Sequence, residues 1–500
     1  MAISGEVSLT QSRPRATLSA LSIFVSLWSL YGVISAAPAS IHNDMAEAYV
    51  WGRQFEFGYF QHPPFWAWIA GLWFEVFPRA DWAFTLLAVL NAGLGLYGSW
   101  LLIGDFADGN RRLAATVLLL LTPFYTFLAL KYNANSIFLS LWPWTMHFCV
   151  VSLDKRRLCD AALFGLFMGL ALLSKYYALI LGATCFVAAL VHPSRRAYFT
   201  SVSPYVSLGV TALVFAPHVW WLVTRDAPPV QYFMQKTGLG IKTAVMACIT
   251  LLVGVAAFHS IPIALIALTK RAYPNVWLEA FRTRWCEHRF RVLAILAVLP
   301  LLLTLLSGLA FSLRPSTNMT IAIFSLVPLL LLELSASGGD ERIYRSSRSL
   351  VVGITLTALV LSPAIAVAKF WWGSDNNYVE PRKELAREAT RIWHETTGLP
   401  LKYVAGSQRY ENAVAFYSTD RPQVFIHLDF HRAQWITSEG IQREGLLIVC
   451  AKDDEKCLDS SAKITSSANA VRTELTLEHS FLGHTAQPVS FIVIVLPPRR

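Results

Sequence analysis

Charged side chains are scarce in this chain. They make up 15% of its 500 residues, where soluble domains carry about 25%. The deficit excludes an ordinary soluble enzyme. With 55% hydrophobic residues gathered in long apolar runs, it points to a polytopic membrane protein. Internal repeats are lacking, and acids inside the apolar runs are nearly so, Glu333 being the main one. Both absences argue against the runner-up reading, a polytopic secondary transporter of an envelope precursor. A membrane assembly factor or sensor, with the tail as its binding module, is the third reading. The tail from residue 371 has soluble composition but no glycine-rich phosphate loop and no serine-nucleophile motif. The formal net charge of +10 sits mostly in short Lys/Arg clusters between apolar runs. That is the positive-inside pattern, so no nucleic-acid partner is expected. Of seven cysteines, only Cys450 and Cys457 lie in the tail. They are spaced to close a small loop in an oxidising compartment, and no further ligands stand at metal-site spacing.

The N-terminus up to Arg15 is polar and includes Arg13. The run from Ala16 to Ala37 is long enough for a membrane span rather than a signal peptide's shorter core, with cleavage at the small residues Ala36-Ala37-Pro38-Ala39 as the minor alternative. Further spans are expected at 82–104, 113–130, 135–153, 158–174, 176–191, 203–223, 243–269, 292–312, 317–334 and 349–370. The total is about 11 to 13 transmembrane helices. Segment 65–77 is apolar but short. If it does not cross, Arg111-Arg112, Lys155-Arg156-Arg157, Arg195-Arg196, the run from Lys270 to Arg291, and Arg342, Arg345 and Arg348 all fall on the cytoplasmic side. If it crosses, every later cluster inverts. Parity favours a juxtamembrane or re-entrant helix with its Trp residues at headgroup level. The N-terminus is then cytoplasmic, and loop 38–81 and the tail are periplasmic.

This topology collects polar residues at the outer ends of the spans: Asp44, Glu47, His62, the stretch Lys131-Tyr132-Asn133-Ala134-Asn135, Lys175-Tyr176-Tyr177 and Arg314. Charge at that depth is costly unless paired or functional. Arg225 and Lys236 read better as snorkelling anchors, whereas Lys131 and Lys175, each at a helix junction beside a Tyr, read better as functional. Outer loop 224–242 suits a lid over a lipid tail or sugar. His218 suits helix packing or a donor contact equally. In the tail, the spacing of Leu385, Ala389, Ile392 and Trp393 predicts a helix over 381–397. Strands are expected at 401–405, 423–426, 445–450 and 490–496, and a short helix at 411–417. The fold class is therefore an α-helical polytopic membrane protein, 1–372, with a small C-terminal α/β domain, 373–500.

The loop His42-Asn43-Asp44-Met45-Ala46-Glu47, continuing to Gly58-Tyr59-Phe60-Gln61-His62-Pro63-Pro64, resembles the first outer loop of GT-C-type glycosyltransferases. More narrowly it resembles the bacterial relatives of protein O-mannosyltransferases (family 39/83-like), which include aminoarabinose and rhizobial galacturonosyltransferases. The stretches 132–136, Leu141-Trp142-Pro143, Ser174-Lys175-Tyr176, Tyr403-Val404-Ala405-Gly406 and 416–422 also resemble that family. The resemblance implies a GT-C fold and inverting transfer of a sugar from a polyprenyl-phosphate-linked donor. The acceptor would be lipid A, lipopolysaccharide core, another envelope lipid or a protein, at the periplasmic face of the bacterial inner membrane. It places the family's Asp on Asp44, with Glu47 in support one turn later because Met45 stands where Glu is frequent. A general base of this kind contributes about two to four powers of ten in rate. His62, Lys131, Tyr132, Asn133, Asn135, Lys175, Tyr176 and Arg314 are the candidates for holding the donor's phosphate and sugar. Gln61 replaces the acid that helps bind a divalent cation in relatives. Cationic side chains are therefore expected to balance the leaving phosphate, with a divalent cation as the alternative.

Overall fold

The computed structural model describes residues 12–270, 274–335, 338–373, 375–465 and 469–499. The polar stretch before residue 12 lies outside the described residues. The chain forms two compact units, the first of Met1–Leu30, Gln61–Phe65 and Thr85–Leu359, the second of Tyr31–Phe60, Trp66–Phe84 and Val360–Arg500. The second unit thus gathers most of loop 38–81 with the tail.

The first unit is helical. Helices α1 (Ser12–Ser35), α4 (Asp81–Gly104), Ser203–Thr224, Ile241–Lys270, His288–Ala310 and Asp340–Trp372 are long and apolar enough to cross a membrane, six among the described residues. The expected span 113–130 is a bent pair, Gly109–Leu120 and Pro123–Leu130, meeting at 68°. The expected spans 158–174 and 176–191 are shorter apolar helices, Leu158–Leu172 and Ala178–Val191. Segment 317–334 is not one helix: a four-residue turn of helix, Thr317–Thr320, is followed by Val327–Leu334, which begins with Pro328 in its first turn. Proline fits there because it has no N–H to lose.

Small residues bring these helices close, as packing without a hydrophobic drive requires. A Cβ on Gly165 would lie 2.4 Å from the Ser207 carbonyl oxygen, and one on Gly95 2.1 Å from that of Leu139. Buried charge is paired. Glu333 accepts from Arg111 at 2.9 Å and from Arg284, and Asp340 accepts from Arg111 at 2.9 Å and Lys270 at 2.6 Å. Two of the basic clusters that parity puts on one side, Arg111-Arg112 and the run from Lys270 to Arg291, therefore meet within this unit.

In the second unit, α2 (Asn43–Gly52) and α3 (Phe65–Val76) cross at a pair of glycines. A Cβ on Gly52 would lie 2.2 Å from the Ala67 carbonyl oxygen, and one on Gly71 2.3 Å from that of Gly52. Helix α3 has 12 residues, or about 18 Å of rise, against about 30 Å of hydrocarbon, so its length fits the non-crossing reading. Its tryptophans also make contacts within the unit. Trp66 is buried against Trp51, Trp68 donates to the Glu56 carbonyl at 2.9 Å, and Trp73 donates to Ala83 at 3.0 Å. The N–H groups of Trp68 and Trp73 and the ring of Trp66 serve packing within the unit.

The tail sheet has strands β1 (Tyr403–Gly406), β2 (Gln423–Phe425), β3 (Leu446–Ala451), β4 (Val471–Leu477) and β7 (Val489–Leu496) in the order β2-β1-β3-β7-β4. A separate hairpin pairs β5 (Ser480–Phe481) with β6 (His484–Thr485). β2, β1 and β3 are parallel, while β7 runs antiparallel to β3 and β4. β3 is buried at every position, as a central strand covered on both faces should be. Helix Arg382–Thr397 lies where its apolar spacing predicts. Cys450 and Cys457 form a disulfide between β3 and the start of helix Glu455–Thr465.

Candidate active site

Helix α2 begins at an unusual cap. His42 is extended (φ −63°, ψ 141°), and its Nδ1 accepts the Asp44 backbone N–H at 3.1 Å. Asp44 therefore sits in the first turn, where an anion complements the helix dipole. Its carboxylate lies 3.7 Å from His42 Nδ1, and its side chain is 37% exposed. Glu47, one turn later, is buried and accepts from Gln408 Nε2 at 3.3 Å. Asp44 is thus partly open at the helix start, whereas Glu47 faces the tail helix Gln408–Tyr417.

The rest of α2 is buried from Met45 to Gly52. Tyr49 stands edge-on to Phe74 and Phe416, with ring centroids 5.4 and 5.2 Å away, and Phe416 is fully buried. Tyr417 donates to Asp81 Oδ1 at 2.5 Å and accepts the Ile41 N–H at 2.6 Å. Arg53 donates to the Arg421 carbonyl at 2.8 Å. The tail motif 416–422, recognised in the sequence only as family-like, is thus the clamp that fixes the loop carrying Asp44.

The first unit holds a second polar group. Asn133 Oδ1 accepts the backbone N–H of Asn135 and Ser136, each at 2.9 Å, and Ser136 Oγ accepts the Asn133 N–H at 2.8 Å. This turn presents Asn135 Oδ1 to Lys175 Nζ at 2.6 Å. Tyr176 bonds His218 Nε2 at 2.7 Å, and Tyr177 bonds Thr304 at 2.6 Å. Lys175, Asn135 and Asn133 are therefore brought together, with Asn133 shaping the turn. Tyr132 is fully buried, while Lys131 and His62 are half-buried. Arg314 is exposed and forms no ion pair among the described residues. Nothing places it with Lys175.

Among the described residues, no three His, Cys, Asp or Glu side chains converge as a metal would need. With Gln61 in place of an acid, the described donor set does not fit a resident divalent cation.

Residues 61–221 match the family model described as dolichyl-phosphate-mannose-protein mannosyltransferase. The architecture is similar to ArnT from Cupriavidus metallidurans in the apo state, with a TM-score of 0.59 at 14% identity over 95% of this chain and 98% of that one. The fold is that of a GT-C glycosyltransferase. ArnT from the same organism bound to undecaprenyl phosphate gives a TM-score of 0.56 at the same identity and coverage. A sequence search of curated proteins finds no match. The family match covers the candidate residues His62, Lys131 to Asn135, Lys175 and Tyr176, and begins after Asp44. Together with the fold it supports glycosyltransferase activity.

Sequence reasoning missed the half-buried contacts of Gln408 with Glu47 and of Asp81 with Tyr417. Only the motif 416–422 offered a signal for either of them, through Tyr417.

Proposed function

We propose that the protein is an inverting membrane glycosyltransferase. It moves a sugar from a polyprenyl-phosphate-linked donor to a cell-envelope lipid, glycan or protein, at the periplasmic face of the bacterial inner membrane. The observation that carries this reading is Asp44, an accessible carboxylate locked at the start of α2 on the loop that resembles the family's catalytic loop. The acceptor hydroxyl attacks the anomeric carbon, and Asp44 takes its proton. The bond from that carbon to the phosphate oxygen breaks on the opposite face, and the polyprenyl phosphate leaves with the electron pair. Lys175, held by Asn135, supplies fixed positive charge for a leaving phosphate, with Lys131, His62 and Arg314 in reserve. The solved ArnT with undecaprenyl phosphate favours a lipid-phosphate carrier of that kind. The Cys450–Cys457 disulfide favours an oxidising compartment for the tail.

The test incubates purified protein with radiolabelled polyprenyl-phosphate sugars and an envelope lipid extract. Label moves to an acceptor with the native protein. With Asp44→Asn, transfer falls by about two to four powers of ten, while expression and thermal unfolding stay native. Substantial transfer by the variant removes Asp44 from the role of base.

A further inference from the structure

The second unit contains a cleft of about 1130 Å³ between the tail sheet and the start of α2. Ordinary small-molecule sites enclose about 300–1,000 Å³, so this one admits several linked rings. Its lining is dominated by polar side chains, and their signs balance. Arg382, Arg409, Arg432 and Lys456 face Glu380, Asp429, Asp453 and Asp454. The amides of Asn43, Asn377 and Gln408 lie between them. A dense anion such as a phosphate cluster calls for a net positive wall, and an acyl chain calls for an apolar one. Interspersed donors and acceptors of both signs suit a hydroxyl-rich glycan.

The floor is preorganised. Glu380 and Arg382 are buried and paired at 2.7 Å, and Arg409 joins Glu380 at 2.7 Å. Arg382 also donates to Asn377 Oδ1 at 2.8 Å and to the Ile41 carbonyl at 3.1 Å. On the wall, Ser407 donates to Asp454 at 2.6 Å. The Cys450–Cys457 disulfide ties that wall to the helix carrying Lys456. His427 and Leu428 both adopt left-handed backbone (φ 53° and 59°), a conformation that costs energy in non-glycine residues and persists only where the surroundings enforce it. Asp453 and Lys456 are exposed at the rim, and neither has an ion-pair partner among the described residues. His42 and Asn43, the residues immediately before Asp44, are also part of the cleft's lining.

We infer that this cleft is the acceptor site, binding the oligosaccharide portion of an envelope glycolipid and presenting its hydroxyl at the N-terminal end of α2. The inference rests on the proposed transferase reading but is tested separately from it. The probe is deacylated lipopolysaccharide oligosaccharide from the native host, added to the full-length protein in detergent while backbone hydrogen exchange is followed. Exchange should slow at 406–410, 427–432 and 453–457, and Asp44→Asn should keep this protection while losing transfer. Asp453→Ala and Arg432→Ala should each raise the acceptor KM about tenfold, the loss of one charge-assisted hydrogen bond, with the donor KM unchanged. Absence of protection overturns the inference. So does protection of the same segments by polyprenyl phosphate or by a peptide instead of the glycan, or a change in donor KM in these variants. If Asp44→Asn still transfers sugar while the glycan protects these segments, the base assignment fails and the acceptor site stands.

Discussion

Both units bury carboxylates against cations, and the loop-and-tail unit adds a second way of stabilising one. In the membrane-type unit, Glu333 meets two arginines and Asp340 meets an arginine and a lysine. In the loop-and-tail unit, Glu380 is paired with Arg382 and Arg409. Glu411, fully buried close by in the sequence, instead receives the His427 backbone N–H at 3.3 and 3.4 Å from its two oxygens. Burial pushes the Glu411 carboxyl well above the ordinary carboxylate range, against the pull of the backbone donors at His427 and Gly406. A buried acid is thus either neutralised by cations or kept protonated. The first solution resists loss of a partner poorly, and the second resists high pH poorly.

The largest effect is expected where the pairing is densest. Glu333→Ala leaves Arg111 only Asp340 and Arg284 only Glu287, and removes the buried carboxylate that joins the two arginines. Breaking a buried pair costs about 3–5 kcal/mol, and the lower end applies because the two arginine side chains are 27% and 30% exposed. Thermal unfolding in detergent should show that loss, while Glu341→Ala, which removes an exposed i,i+4 pair, should change it by about 0.5 kcal/mol or less.

Next comes the clamp on the loop that carries Asp44. Tyr417→Phe removes the donor to Asp81 and the acceptor for the Ile41 N–H while keeping the ring. About 1–3 kcal/mol of stability should go, and hydrogen exchange should quicken at 38–46 more than in β3. If β3 quickens equally, the tyrosine supports the whole unit rather than the loop.

Glu411→Gln should act in the opposite direction. Because its folded pKa is raised, the wild type is most favoured below the unfolded carboxylate value and loses stability as pH rises from there through the folded value. The amide keeps an acceptor for the His427 N–H and has no proton to lose. The variant should therefore melt higher than the wild type at pH 8, with the gap closing toward pH 4. A gap that grows on acidification would show that the carboxylate, not the acid, is the native form.

Much of this architecture is legible along the chain, because hydropathy and helical spacing are local signals. The long apolar helices and helix Arg382–Thr397 follow from them, as do four of the five sheet strands. β4 was missed because Arg472 and Glu474 alternate with its apolar residues on a largely exposed strand. The break in 317–334 was missed because its composition stays apolar while Pro328 resets the helix. Asp44 stood out by motif and by its place after the first span. The burial of Glu47 against Gln408, and the hold of Tyr417 on Asp81, join residues more than 300 positions apart in sequence. No local pattern encodes such a contact.

The smallest expected effect lies at His479, which separates a cation-paired acid from a neutral one within a single unit. His479 Nδ1 faces Glu384 Oε1 at 3.0 Å, and Nε2 faces the Pro38 carbonyl at 2.7 Å. Both ring nitrogens donate when the imidazole is protonated. The hydrogen bond to Glu384 raises the histidine above its ordinary value, against burial. For Glu384, burial acts upward, but the His479 hydrogen bond and charge bring it below its ordinary value. A raised histidine stabilises fully below its unfolded pKa and stops doing so as pH rises through its folded one. A lowered carboxylate stabilises above its unfolded pKa and stops doing so as pH falls through its folded one. Their joint contribution is therefore greatest between the unfolded values, 4.5 and 6.5. His479→Gln should cost about 1 kcal/mol there, and less on either side, when unfolding is followed by hydrogen exchange across 382–397. A cost independent of pH would mean that the side chain acts by packing against Phe370, whose ring centroid is 5.5 Å away, and not by charge.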